Sequence, residues 1–341
     1  MLQLLDIYGA LAVAKEGSLL VGTHSGAFHA DEVGAIGLLE MYRDAKALGA
    51  VAVVRTRDPG ALESLRGAGG ILVDVGGEYR RPTWGSVNGL LADHHQKGGA
   101  CDARPNGVPY SSFGLVWREV GVTLCQEAML NLGVAGNPVT IAAVVDAGVV
   151  QAIDATDNGA VDTVATVKGT GATVSPWGVS LVVRQMNPPA IPGMVQNFDD
   201  AFQEAVKFMQ TVVAAAVVSA IAEEAAKSVV RKAIATTVGP VLQLDAYVDW
   251  RETVAQEGPG ILFVVFTNPE GTHMIQQVPK ALGSFEGRKQ LPAEWAGLRG
   301  DELVKVTGVA DAVFCHNGRF IAGAQSREGA LRLAKLAVEA A

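Results

Sequence analysis

Four of the six histidines in this 341-residue sequence fall in two short clusters. His24 and His29 lie in Thr23-His24-Ser25-Gly26-Ala27-Phe28-His29-Ala30-Asp31-Glu32, and His94 and His95 in Ala92-Asp93-His94-His95-Gln96. Carboxylates recur with them. Asp31 sits inside the first cluster, Asp74 in Val73-Asp74-Val75-Gly76, Asp93 ahead of the paired histidines, and Asp154 and Asp157 in Asp154-Ala155-Thr156-Asp157-Asn158-Gly159. Oxygen donors mixed with some imidazole suit Mn²⁺ or Mg²⁺, and the imidazole tilts the choice toward Mn²⁺, Fe²⁺ or Co²⁺. Asp31, Asp74 and Asp154 together would leave one divalent ion undercompensated. Two ions would make the site slightly positive and ready for a phosphate. Two ions about 3.5–4 Å apart can polarise phosphoryl oxygens and activate a water near neutral pH. Taken singly, each residue has a plainer reading: a strand-end His as a hydrogen-bonded structural residue, a post-strand Asp as a helix cap. The joint pattern, with each station after a different element, is what points to a metal site.

The elements that must position these groups are short apolar runs alternating with helical patterns. Ser18–Thr23, Val51–Val54, Ile71–Val75 and Leu90–Ala92 read as strands, and Ala30–Arg43, Ser111–Val120 and Pro138–Ile153 as helices. That alternation predicts a parallel sheet covered on both faces, with functional residues at the carboxyl ends of its strands. After Gly159 the texture changes to Gly, Pro, Thr and Val, so the domain boundary is expected near residue 160, giving domains 1–160 and 161–341. The second half shows a long helix over Asp199–Ala235, with a break expected near Lys227. Strands follow at Val241–Leu244, Ile261–Phe266, Met274–Val278 and Ala312–His316, then a closing helix over Arg327–Ala340: an α+β pattern.

Composition narrows the function classes. Apolar residues make up 49% and charged residues 18%, so a sizeable core is expected rather than disorder. A net charge of −8 argues against gripping nucleic acid through overall charge, though not against a local basic groove. Cys101, Cys125 and Cys315 are scattered and odd in number, which fits reduced thiols in a cytoplasm. Met1–Leu20 lacks the order of a signal peptide, and the most apolar stretch, Thr211–Ala222, is too short to span a bilayer. A cytoplasmic location and no membrane partner are expected. Ala165 stands where an EF-hand needs its twelfth-position Glu, Gly169-Thr170-Gly171 lacks the later glycine of a dinucleotide fingerprint, and no Walker A sequence is present.

The string Asp93-His94-His95, preceded by His24…Asp31 and Asp74 and followed by Asp154, resembles the four-motif pattern of DHH-type phosphoesterases. More narrowly, the chain resembles the melanocyte-proliferating-gene family of metal-dependent hydrolases. The matching motifs are Thr23–Glu32, Val73–Gly77, Asp93–Gln96, Pro105–Trp117, Asp154–Gly159, Leu291–Gly300 and Phe314–Gly323, spread over nearly the whole chain. One departure stands out: Asn187-Pro188-Pro189 lacks the Trp that the family usually shows after N-P.

This resemblance implies an N-terminal DHH-type parallel-sheet domain with helices on both faces, and a C-terminal α+β domain that closes over it. It implies a manganese-dependent phosphodiesterase with 3′→5′ exonuclease action on RNA. Two divalent ions, Mn²⁺ preferred and Mg²⁺ the alternative, would be held by His24, His29, Asp31, Asp74, His94 and Asp154. Asp74 would bridge, and Asp157 competes with Asp154 for its station. His29 stands where the broader group carries an Asp. His95 would contact the substrate phosphate or the leaving group, and Asp93 would orient a histidine. Arg288, Lys289, Arg299, His316 and Arg319 are the candidate phosphate contacts of the C-terminal half, with Arg288, Arg299 and His316 the chosen three. Trp295 is expected in the core. The expected partners are single-stranded RNA or a short oligonucleotide and, in a homodimer, a second copy of the chain. Two rivals are a pyrophosphatase or small-nucleotide phosphatase, and a regulatory protein whose metal site holds structure without turnover.

Overall fold

A computed structural model describes residues 2–14, 17–82, 86–96, 104–162, 164–284 and 286–340. Cys101 lies outside the described residues. The chain divides into two compact units, Met1–Ile221 and Ala222–Ala341.

The first unit is built on a six-stranded sheet. Its strands are β1 (Leu2–Leu4), β2 (Leu19–Thr23), β3 (Val51–Arg55), β4 (Ile71–Val73), β5 (Tyr79–Arg80) and β6 (Leu91–Ala92), in the order β1-β3-β2-β4-β6-β5. All neighbours are parallel except β5, which runs antiparallel to β6. The strands are apolar on both faces because both are covered, as a parallel sheet requires. In β2, Leu19 and Val21 join one core cluster while Leu20 joins another on the opposite face, the two-residue period of a strand. Helices α1 (Ile7–Ala14) and α3 (Pro59–Gly67) supply Ala10, Leu11, Leu62 and Leu65 to the smaller cluster. The larger one is filled by α2 (Ala30–Ala45), α4 (Ser112–Leu132), α5 (Pro138–Val145), α6 (Gln151–Asp157), α7 (Val179–Met186) and the first half of α8 (Phe198–Thr236). Gly34 and Gly37 allow close packing on α2: a Cβ at Gly34 would lie 2.8 Å from the Phe113 ring, and one at Gly37 3.4 Å from the Val206 carbonyl. A small hairpin, β7 (Ala165–Thr166) and β8 (Thr173–Val174), precedes α7.

The second unit holds a five-stranded mixed sheet of β9 (Val241–Gln243), β10 (Phe263–Thr267), β11 (His273–Gln277), β12 (Ala312–Cys315) and β13 (Ile321–Ala324), ordered β12-β13-β11-β10-β9. Helices α10 (Gly300–Thr307) and α11 (Arg327–Glu339) pack with one face through Leu303, Ala330, Leu333 and Ala337. Val254 of α9 (Arg251–Glu257) and Val230 of α8 pack on the other, around Trp250. Trp295 is buried in the first of these clusters.

The α/β and α+β expectations hold, with these differences in organisation. The division falls within α8 rather than near residue 160, because Val183, Phe202, Val206, Met209, Val213 and Val217 belong to the core of the first unit. Helix α8 is unbroken at Lys227, whose ammonium pairs with Glu223 and Glu224 one turn earlier (2.7 and 3.1 Å). The helix read over Pro138–Ile153 is two helices joined by a π turn at Asp146–Val150. Finally, Phe198–Thr236 and Pro138–Asp157 are each long and apolar enough to cross a membrane, by length and composition alone. In α8 the apolar positions of the first half fill the core just described.

A fragment ending at residue 221 is expected to melt cooperatively in circular dichroism, whereas one ending at residue 160 loses the α7–α8 wall of its core and shows no cooperative transition.

Candidate metal centre

Strand register places the site. Thr23 of β2 pairs with Val73 of β4, which pairs with Ala92 of β6. The next residues, His24, Asp74 and Asp93, therefore leave three adjacent parallel strands at one level. Asp74 turns there in the left-handed region (φ 54°), a conformation that Asp tolerates better than most residues. Gly76 and Gly77 continue the turn with φ of 100° and 67°, and the Gly77 N–H donates to Asp93 Oδ2 at 2.6 Å. This explains the glycine pair of the Val73–Gly77 motif.

Helix α2 brings the second set. His29 is its N-cap, and Glu32 at the third helical position accepts from the His29 backbone N–H at 2.9 Å through both carboxylate oxygens. Asp31 and Glu32 thus stand in the first turn, where the helix dipole favours negative charge. Asp157 arrives from the last turn of α6.

These groups converge. His24 Nε2 lies 3.0 Å from Glu32 Oε1 and 3.2 Å from Asp74 Oδ2. His94 Nε2 lies 3.1 Å from Asp157 Oδ2, 3.4 Å from Asp74 Oδ1 and 3.8 Å from Asp31 Oδ2. Ligand atoms of three sets, His24/His29/Glu32/Asp74, Asp74/His94/His95 and His29/Asp31/Asp157, lie within 4.8 Å of one another in each set. Asp74 is common to two of them.

The remaining nitrogens face acceptors. Asn158 Nδ2 donates to the carbonyls of Asp154 (2.8 Å) and Tyr110 (3.2 Å), which turns its Oδ1 toward His94 Nδ1 at 3.3 Å. His94 Nδ1 thus has an acceptor behind it while Nε2 faces the carboxylates. His24 Nδ1 faces the Ser25 carbonyl at 3.4 Å, with the same consequence. Such acceptors behind an imidazole are what a metal-ligating histidine needs.

Asp154 is not in the cluster. Its carboxylate pairs with Arg104 Nη2 (2.7 Å) and accepts from Ser111 Oγ (2.5 Å) and the Gly114 N–H (3.0 Å). Arg104 also pairs with Asp146 at 2.8 Å. Of the two carboxylates left open in the sequence, Asp157 reaches the cluster and Asp154 instead ties α6 to α4. Burial pushes the Asp154 carboxyl up, against the pull of Ser111 and Arg104.

Asp93 orients His95 rather than His94. Its Oδ1 accepts from the His95 backbone N–H (3.0 Å) and ring Nδ1 (2.9 Å). The His95 side chain is 63% exposed and its Nδ1 lies 3.3 Å from Asp74 Oδ1.

The residues fit divalent cations by an observation of their own. His24 Nε2 and His94 Nε2 are buried against carboxylate oxygens, and both Asp31 oxygens are buried with no N–H or O–H donor in hydrogen-bond reach. Buried polar atoms are rarely left so, and their chemistry is that of an Mn²⁺ or Mg²⁺ donor set. Without cations, protons take over. Burial opposes charging His24, but the hydrogen bonds and charges of Asp74 and Glu32 prevail and raise it to about 9. Burial is likewise outweighed at His94, where Asp157 and Asp74 raise it to about 10. Burial, then the charges of Asp74, Glu32 and Asp157, pushes the Asp31 carboxyl far above the ordinary range. Asp74 goes the other way: burial opposes its ionisation, yet His24 and His94 hold it well below the usual carboxylate range.

In the second unit, the guanidinium of Arg288 donates to the carbonyls of Gly258 (2.6 Å) and Ile261 (2.9 Å) and reaches those of Val254 and Ala255 (3.4 Å each), closing the end of α9. Lys289 does the same for Val338 and Ala340 at the end of α11. These two candidate phosphate contacts are structural. Arg319 donates to Gln290. Arg299 and His316 remain exposed, the first over the Phe314 ring at 5.7 Å, the second with Nδ1 accepting from the Gly318 N–H.

Glu32, Asn158, Arg104 and Ser111 were not among the expected site residues. Glu32 and Asn158 stand inside the motifs Thr23–Glu32 and Asp154–Gly159. Arg104 and Ser111 gave no sequence signal of their partnership with Asp154.

A parallel sheet whose adjacent strand ends deliver carboxylates and imidazoles to one buried point makes this an α/β protein with a centre suited to divalent cations. The chain matches the family described as an uncharacterised protein family (UPF0160), MYG1_exonuc, over residues 20–338, and it belongs to that family, as its motifs implied. Its relatives include the MYG1 exonuclease of Homo sapiens, 30% identical over 92% of this chain and 84% of that protein. The MYG1 protein of Schizosaccharomyces pombe is 29% identical over 94% and 97%, and that of Saccharomyces cerevisiae 29% over 93% and 94%. Among solved structures, RecJ in complex with Mn²⁺ from Thermus thermophilus aligns with 98% of this chain and 55% of its own at 12% identity, with a TM-score of 0.25, an overlap too slight to transfer any feature.

Metal binding must displace the protons on His24 and His94. Calorimetry in buffers of differing ionisation enthalpy is expected to show proton release on Mn²⁺ addition, with affinity rising from about pH 6 to about pH 9. The raised histidines stabilise the metal-free fold fully below their unfolded value of 6.5, and that contribution is lost as pH rises through about 9 and 10. The metal-free protein should therefore lose Tm on alkalinisation more steeply than the Mn²⁺-loaded one. Separately, a Cβ at Gly114 would sit 2.0 Å from Asp154 Oδ2. Gly114→Ala is expected to cost ~3 kcal/mol in denaturant unfolding.

Proposed function

We propose that this protein is a divalent-metal-dependent phosphodiester hydrolase that acts as a 3′→5′ exonuclease on single-stranded RNA or short oligonucleotides. The observation that carries the reading is the convergence of His24, Asp31, Asp74, His94 and Asp157 on one largely buried point. Membership of a family whose relatives bear the name exonuclease supports it.

His24, His29, Asp31, Asp74, His94 and Asp157 would hold two ions, Mn²⁺ before Mg²⁺, with Glu32 facing the same His24 nitrogen as a further oxygen donor. Divalent cations held there would supply Lewis acidity, drawing charge from phosphoryl oxygens and making a water acidic enough to attack. The chain's own groups do the rest. His95 stands exposed above Asp74 with Nδ1 tied to buried Asp93, so its Nε2 is the nitrogen left to face the substrate phosphate or the leaving oxygen. Asp93 sets that orientation. Arg299 and His316 of the second unit are the remaining exposed candidates for phosphate contact.

Activity should separate these roles. Asp74→Asn and His94→Ala are each expected to lower Mn²⁺-dependent hydrolysis of a 3′-labelled oligoribonucleotide at least about a hundredfold. His95→Ala is expected to lower kcat about 10²-fold or more while leaving the Mn²⁺-induced rise in Tm intact. Stripped and reloaded protein that cuts neither RNA, dinucleotide nor pyrophosphate would sink the hydrolase reading. Preference for pyrophosphate over any phosphodiester would install the phosphatase rival.

A further inference from the structure

Beside the cluster lies a cavity of about 680 Å³ whose wall includes two of the cluster's own residues, His29 and Asp157. The rest of the wall is mostly apolar, with Thr156, Asp162, Ser175, Ser180 and Arg184 as its polar members. Val149 comes from the π turn, Ala152 and Ile153 from α6, and Val179 and Leu181 from the first turn of α7. Arg184 lines it one turn further along α7, exposed and with no ion pair among the described residues. Pro176 and Gly178 also line it, and between them in the chain stands Trp177, 74% exposed.

Hydrolysis of an inorganic phosphate needs only polar and charged groups around the anion. An aliphatic wall continuous with the cluster serves an organic group carried by that phosphate. The volume falls in the range that holds one small organic ligand. A large exposed indole is costly to leave in water and offers a π-face to any base. Aliphatic contact and stacking do not distinguish one base from another, and a guanidinium supplies the cation a phosphate needs.

We propose that this cavity seats the terminal nucleoside of a single-stranded nucleic acid beside the phosphate to be cut, with Trp177 as a stacking surface at its rim and Arg184 as its phosphate-facing cation. The product released is then a single nucleoside monophosphate, with little base preference. This deepens the hydrolase reading and rests on it for the cleavage step, but not for binding.

The test uses the full-length Mn²⁺-loaded protein, adenosine 5′-monophosphate as probe, and two variants at exposed positions, Ala152→Phe to fill the cavity and Trp177→Ala to remove the stacking face. A retained Mn²⁺-induced rise in Tm certifies that each variant is folded with its cluster intact. The expected result is nucleotide binding by wild type, weakened about tenfold in each variant, with a comparable rise in KM on an oligoribonucleotide. If wild type cuts RNA while both variants bind and cut as it does, the cavity assignment is overturned and the hydrolase reading stands. If wild type binds the nucleotide, the variants do not, and nothing is cut, the cavity is supported and the hydrolase reading falls. Absence of nucleotide binding by wild type overturns the cavity assignment outright.

Discussion

The register of three neighbouring parallel strands governs the chemistry of this molecule. Because Thr23, Val73 and Ala92 are level in the sheet, the residues that follow them must meet at its carboxyl edge. What meets there is costly. Asp31 and Glu32 are wholly buried, Asp74 nearly so, and Asp157 is close by. Each ion removed from water loses several kcal/mol of solvation, roughly, and like charges repel across a medium of low dielectric. Protonated His24 and His94 offset part of this, as does the N-terminal dipole of α2. Two hydrogen-bond-free oxygens on Asp31 show that the offset is incomplete within the protein itself. A site that needs cations to reach electrical balance is also one that favours an incoming phosphate once it has them.

A second, buried polar assembly sits behind the first. Arg104, Asp146, Asp154, Ser111 and the Gly114 amide form a network joining α4 to the π turn and α6. Here the charges are paired and the hydrogen bonds complete enough to hold geometry. Asp154 and Asp157 are three residues apart on one helix, so they share a face. Fixing Asp154 from below sets the rotation of α6, and with it the position from which Asp157 reaches His94. The same carboxylate chemistry thus holds structure one turn before it offers a ligand.

This distinction shows where sequence reading ran out. Strand ends were legible because apolar runs stop at His24 and Asp93 and are interrupted at Asp74, and the α/β class followed from alternation. The choice between Asp154 and Asp157 was not legible. Both carry the same group in one motif, and the difference lies in Arg104, far upstream in the chain and silent about its partner. Arg288 and Lys289 misled for a related reason. A cation beside a family motif looks the same in sequence whether it faces solvent or closes the carbonyl end of a helix, as both do here. The boundary near residue 160 followed a real change of composition, but composition does not report which core an Ala- and Val-rich helix fills.

That helix and the one before it bear directly on the centre. Asn187, at the end of α7, clasps the loop between β2 and α2: its Oδ1 accepts from the Phe28 N–H at 2.9 Å and its Nδ2 donates to the Phe28 carbonyl at 2.8 Å. Arg55 donates to the Gly26 carbonyl at 2.6 Å, pairs with Asp199 at 2.9 Å and lies 4.3 Å from the Phe202 ring. Phe202 in turn meets the Phe28 ring edge-on at 5.7 Å. The loop carrying His24 to His29 is therefore gripped at Gly26 and Phe28 by groups from α7, α8 and the end of β3. A loop so held keeps His29 at the cap of α2 and Asp31 in its first turn, which is the geometry the cluster requires. The segment after residue 160 belongs to the first unit and holds the loop from which the centre is built.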